Sequence, residues 1–179
     1  MADVKGLIAL LVGLVSVSAQ GQLAVDPAAV RFDTVPAAVV AQSGQATAVD
    51  CLALNIYHEA RGEPLKGQVA VAQVVLNRVA HVRFPNEVCA VIKDGGEWPR
   101  GFCQFSWWCD GRSDAPLESK AWRESLALAD EVLSGAHGDP TRGALWYHAT
   151  SVAPTWRRDF DRTGRIGDHI FYRPRRRNK

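Results

Sequence analysis

Apolar residues crowd two neighbouring stretches, Cys51 to Ala60 and Gly67 to Val79, in which only Glu59 and Arg78 carry a formal charge. Asp50, just before the first stretch, is a capping residue type, so the pattern predicts a helix from Asp50 to about Glu59. Gly62 and Pro64 break it, because the residue before a proline is pushed out of the helical region. Proline suits the first turn of a helix, so a second one is expected from about Pro64 to Val79. Val71, Val74, Val75 and Arg78 share one face of it, yet Ala70, Ala72 and Leu76 make it apolar all round. That describes a buried central helix. A short helix is expected near Asn86 to Ile92, after Pro85. Lys93 to Pro116 has no sustained period, and a long loop inside a compact domain is usually functional. A fourth helix, about Leu117 to Leu133, carries the stripe Trp122, Leu126, Ala129 and Leu133 and ends before Gly135. Ala144 to His148 and His169 to Tyr172 are short and aromatic-rich, as strands are. The sum is an α+β domain, mainly helical, with a small antiparallel β element.

Composition adds the organisation around this domain. The 179 residues, 47% of them hydrophobic, fit one domain with some tail. Residues 1–21 read as a signal peptide or signal anchor: Leu7 to Ala19 is uncharged and ends in small residues, like an apolar export segment with its cleavage site. Residues 22–49 read as a linker, rich in Ala, Val, Gln, Pro and Gly without a clear period. The catalytic domain is expected over 50–173 and a basic tail over 174–179. Residues 157–179 hold nine Lys/Arg against three Asp/Glu, a net +6, which leaves +2 − 6 = −4 for the rest. Such a run suits an anionic envelope surface, or serves as a solubilising tail. Nucleic acid is not expected as a partner, the membrane is engaged only through the N-terminal segment, and a monomer in the periplasm or cell envelope is expected. Export makes sense of Cys51, Cys89, Cys103 and Cys109, an even set with three possible pairings into two disulfides. The separation of Cys103 and Cys109 is too long for the hook of usual structural zinc sites.

Glu59 is the residue with chemistry. A carboxylate at the end of an apolar helix is poorly solvated, and desolvation raises its pKa. A raised carboxyl pKa is what a general acid at neutral pH requires. Glu63 lies in the polar break, where better solvation would suit a stabilising carboxylate; as a helix N-terminal residue it would instead simply favour the macrodipole. Gln68, Gln73 and Asn77 are amides on an apolar helix and need partners. Internal backbone bonds are the expectation for Gln73. Gln68, Gln104, Ser106 and Trp107, with Tyr147 and His148 from the aromatic segment, are the candidate substrate contacts.

Several motifs in order carry a resemblance. Tyr57-His58-Glu59-Ala60-Arg61-Gly62-Glu63-Pro64, Gly67-Gln68-Val69-Ala70-Val71-Ala72, Leu76-Asn77-Arg78-Val79, Cys103-Gln104-Phe105-Ser106-Trp107 and Ile166-Gly167-Asp168-His169-Ile170-Phe171-Tyr172-Arg173 resemble the SleB/CwlJ cell wall hydrolase family over about Cys51 to Arg173. The resemblance implies a lysozyme-like fold, peptidoglycan glycan strands as substrate, and Glu59 as the catalytic acid. It tilts the expected route to a lytic transglycosylase, with muramidase action as the variant. No cofactor is needed for either.

Two other classes stand beside this reading. His58-Glu59 suggests a zinc protease helix, but the second histidine it needs falls at Gly62, so that motif fails. His148, Asp168 and His169 remain candidate ligands for a zinc amidase or peptidase. A non-catalytic wall-binding module would use the aromatic loop and the basic tail and leave Glu59 structural.

Overall fold

The computed structural model describes residues 46–96 and 103–175. The expected signal segment, nearly all of the linker, and residues 176–179 of the tail lie outside them. Four helices come first: α1 (Ala48–Ala60), α2 (Leu65–Val79), α3 (Val88–Ile92) and α4 (Ser119–Leu133), with a 3-10 turn at Ser106–Cys109 before α4. Strands β1 (Trp146–Ala149), β2 (Phe160–Ile166) and β3 (His169–Pro174) follow. The fold is α+β and mainly helical, and among the described residues no helix is long and apolar enough to cross a membrane.

Helix α1 begins two residues before the expected cap. Thr47 is the N-cap and Asp50 sits inside the first turn: the Thr47 hydroxyl accepts from the Asp50 N–H at 3.1 Å, and Asp50 accepts from the Thr47 N–H at 2.9 Å. This reciprocal box satisfies two otherwise orphaned amides, and it moves the start of the folded chain into the expected linker. Pro64 is likewise the N-cap of α2, not part of its first turn.

Helix α2 is central, as its all-round apolarity requires. Val69, Ala72 and Val75 pack in the main core with Leu52 and Ile56 of α1, Val91 and Ile92 of α3, and Leu128, Ala129 and Val132 of α4. Its Ala70 and Val74 pack instead on Ala144 and Phe171, which seats the sheet on the same helix. Disulfides Cys51–Cys89 and Cys103–Cys109 resolve the three pairings. The first ties α1 to α3, and the second closes the loop that carries Gln104 and Ser106.

The sheet is antiparallel with order β1-β3-β2. Tyr147 faces Phe171 across β1 and β3, and Ile166 pairs with His169 at the β2–β3 turn. Gly167 takes a φ of +56° in that two-residue turn, the conformation such hairpins demand. The register shifts between Arg162 and Gly164, leaving Thr163 as an inserted residue. Pro174 is the last residue of β3 and pairs with Phe160, so the tail begins after it. Proline is tolerated there because a strand end needs no further N–H.

Candidate active site

Glu59 projects from the last turn of α1 into a cleft of about 300 Å³. Helix α2 supplies Arg78, the disulfide loop supplies Gln104 and Ser106, and the sheet supplies Tyr147, His148 and His169. Val152, just beyond β1, forms an exposed apolar rim. Among the described residues Glu59 is the only carboxylate in this lining.

The environment of Glu59 is the one its sequence position suggests. Burial holds its carboxyl above the ordinary range, against the Tyr147 hydroxyl and the charges of His58 and Arg78, which pull it down. Tyr147 donates to Glu59 Oε2 at 2.9 Å. The Tyr147 hydroxyl is held well above its ordinary value by burial and by the neighbouring Glu59, so it remains a donor. Glu59 makes no ion pair within 4.0 Å among the described residues; Arg61, one conceivable partner, pairs with Glu118 at 3.0 Å.

Neighbours of Glu59 in sequence anchor its helix. The Tyr57 hydroxyl accepts from the N–H groups of Leu117 and Glu118, each at 3.0 Å, at the entrance to α4. His58 donates from Nε2 to the Asp114 carbonyl at 3.0 Å and stacks on Trp107 with ring centroids 4.6 Å apart. Trp107 is buried, and its indole N–H donates to Asn55. It therefore backs the site and does not line the cleft.

Arg78, like His169, lines the cleft without having been among the expected catalytic or substrate residues. Its guanidinium lies between the rings of Phe84 and Phe105, 5.3 Å from each centroid, and Nε donates to the Leu145 carbonyl at 2.8 Å. One of its terminal nitrogens is buried with no hydrogen-bond partner among the described residues. The signal was available: a lone cation on an apolar helix is almost never fully buried without a partner or a use.

The remaining expected residues separate. Gln104 and Ser106 are exposed on the cleft wall, free to meet a ligand. His148 lines the cleft with both nitrogens engaged: Nδ1 donates to the Ala149 carbonyl at 2.8 Å, and Nε2 accepts from the Tyr172 hydroxyl at 3.1 Å. Gln68 donates to the backbone carbonyl of Glu63 at 2.9 Å and is not part of the lining. Gln73 bonds the His137 carbonyl, and Asn77 bonds Asp139, Thr141 and the Ala144 carbonyl. Those amides lock α2 to the approach to β1.

Glu63 is half-buried and more enclosed than the solvated position expected, with its side chain 10% exposed. Its carboxylate accepts from the Asp168 N–H at 3.1 and 3.2 Å and lies 3.4 Å from His169 Nδ1. Gly67 and Gly167 enclose it: a Cβ at either would collide with the carboxylate. Burial holds the His169 imidazole below its ordinary pKa, while Glu63 and Asp168 oppose that. Glu63 thus sits behind His169, and His169 faces the cleft. No cluster of three or more His, Cys, Asp or Glu suited to a metal ion occurs among the described residues.

Comparison with known proteins places this sequence and fold among relatives. The family model described as Cell Wall Hydrolase matches residues 62–172, beginning just after Glu59. The spore cortex-lytic enzyme of Oceanobacillus iheyensis is 35% identical over 139 residues, 76% of this chain and 45% of the relative. That of Bacillus subtilis is 37% identical over 123 residues, 67% of this chain and 35% of the relative. The chain thus spans less than half the length of these curated relatives. The crystal structure of the catalytic domain of the Bacillus cereus SleB protein matches with a TM-score of 0.52 and 33% identity, covering 73% of this chain and 94% of that one. The catalytic domain of the germination-specific lytic transglycosylase SleB from Bacillus anthracis matches with a TM-score of 0.55 and 34% identity, covering 73% and 98%.

Proposed function

The chain belongs to the cell wall hydrolase family, and from that premise we propose that its domain cleaves peptidoglycan glycan strands at the β-1,4 bond between N-acetylmuramic acid and N-acetylglucosamine, with Glu59 as general acid. The observation that carries this reading is a carboxyl raised by burial, held by Tyr147, in a cleft otherwise lined by neutral and basic groups. Glu59 protonates the leaving glycosidic oxygen as positive charge develops at the anomeric carbon. The bond to that oxygen breaks, and the muramic 6-hydroxyl closes onto the anomeric carbon to give an anhydro end. Glu59, now a carboxylate, takes the proton of that hydroxyl and is restored. This lytic transglycosylase route needs no second carboxylate in the lining. A muramidase route uses either a carboxylate nucleophile about 5 Å from the acid or a more distant one that activates water. Glu63, enclosed behind His169, is better suited to support that imidazole than to do either.

Gln104 and Ser106 are the sugar contacts in this reading, with Tyr147, His148 and His169 lining the same cleft. Trp107 and Gln68 keep supporting roles. The enzyme acts in the periplasm or envelope, reached through the N-terminal segment, as a monomer that also meets anionic surfaces through its basic tail. Glu59→Gln is nearly isosteric but has no ionisable proton. It is expected to fold and to release soluble muropeptides at least about a hundredfold more slowly, the range of a lost general acid. Undiminished release by that variant would overturn the assignment and favour a wall-binding role.

A further inference from the structure

Away from the Glu59 cleft, the edge of the sheet holds a second pocket of about 110 Å³, lined by Arg142, Arg162, Thr163 and Arg173 alone. None of these three arginines forms an ion pair within 4.0 Å among the described residues, whose ion pairs all lie elsewhere. Two acids lie close in the fold. Asp161 stands opposite Arg173 in the β2–β3 register. Asp139 is occupied by Thr141, Gly143 and Asn77. Two donors of the pocket are buried without a hydrogen-bond partner among the described residues: Arg173 Nε and the hydroxyl of Thr163, a residue only 7% exposed. Like charges gathered around unpartnered buried donors are unfavourable until an anion joins them.

The backbone is shaped to hold this arrangement. Thr163 is the inserted residue of the β2 irregularity, and such bulges re-aim side chains at sheet edges. Arg142 is the single described non-glycine residue with a left-handed backbone, φ +59°, in a turn that Asp139 closes through the Thr141 and Gly143 amides. Gly164 lies beside the Arg142 guanidinium, and a Cβ there would stand 3.4 Å from its terminal nitrogen. A larger cleft of about 460 Å³ shares Arg142 and Arg173 and continues to Arg175.

We propose that Arg142, Arg162, Thr163 and Arg173 form a binding site for a phosphoryl group carried on an extended envelope polymer. Guanidinium forks match the oxygens of phosphate in pairs. Three forks and a hydroxyl suit a tetrahedral oxyanion better than a two-oxygen carboxylate. A recessed pocket opening into a cleft fits a single phosphoryl on a flexible chain better than the flat face of a membrane. The site does not depend on the role of Glu59.

The test uses the full chain and inorganic phosphate, followed by the NMR signals of the arginine Nε–H groups at low salt. A saturable shift at Arg173 is expected, with acetate and chloride weaker. Arg162→Gln and Thr163→Val should each weaken phosphate binding about fivefold or more, the scale of one hydrogen bond. Both variants should melt no lower than the wild type in the absence of phosphate, since each relieves an unpartnered donor or a like charge, and should cleave a short soluble glycan at the wild-type rate. No saturation, an equal response to acetate, or unchanged affinity in both variants would overturn the site. In a second arm, poly(glycerol phosphate) binding should fall in the variants. Variant-sensitive binding to phosphatidylglycerol vesicles, with none to the polymer, would move the phosphoryl group to a lipid and overturn the polymer assignment.

Discussion

Burial raises the Glu59 carboxyl, and Tyr147 tempers that rise through one hydrogen bond of 2.9 Å. That bond favours the carboxylate and so partly offsets the rise that burial causes. A general acid must be protonated, so cleavage falls as pH rises through its pKa. Removing the donor lets the pKa climb further, and the protonated form then persists to higher pH. Tyr147→Phe is therefore expected to move the alkaline limb of kcat/KM upward, and a pH–rate profile checks it; a limb that stays or moves down would contradict this role. The poor solvation of Glu59 was legible in the sequence because its signal is local: a carboxylate ending an apolar helix before a glycine. Arg78 and His169 were harder to place in the cleft. Their positions depend on how α2 and β3 meet, which no local period encodes. Glu63 shows the same limit, since part of its enclosure comes from Gly167 and the Asp168 amide, in a turn about a hundred residues away in sequence.

All four helices and two strands were readable from pattern, with the α1 boundary misplaced because a threonine and an aspartate share the cap. Strand β2 was not readable. Its residues, Phe160-Asp161-Arg162-Thr163-Gly164-Arg165-Ile166, are mostly polar, as befits an edge strand held by backbone pairing to β3. The turn before β1 was also hidden, although its chemistry is strong. Asp139 accepts from the Thr141 amide and hydroxyl at 2.7 and 2.6 Å, the Gly143 amide at 2.7 Å, and Asn77 at 3.1 Å. Burial pushes its carboxyl up, but these bonds together hold it below the ordinary range. A depressed carboxylate contributes stability above its unfolded pKa, and that contribution is lost as pH falls through the lower folded pKa. Asp139→Asn is expected to cost about 1–2 kcal/mol at neutral pH, with the gap to wild type closing in acid. Urea unfolding at several pH values measures it, and a gap constant across pH would show that charge plays no part.

Across the whole molecule, charge is segregated: residues 157–179 carry the net +6 and the remainder −4. Pro174 pairs within the sheet, so a truncation that spares the fold must begin beyond Arg175. Deleting residues 176–179 is expected to weaken sedimentation with whole walls at low salt, where attraction reaches beyond the roughly 10 Å screening length of 0.1 M salt. Cleavage of a short soluble glycan should be unchanged; its loss would make the tail part of the groove. The central claim is the chemistry at Glu59, and the most direct measurement is mass spectrometry of purified peptidoglycan digested by the full chain. Muropeptides ending in anhydro-muramic acid are expected, absent from digests with Glu59→Gln. Peptides freed from intact glycan would contradict glycan cleavage, and reducing muramic ends in place of anhydro ends would contradict the internal attack.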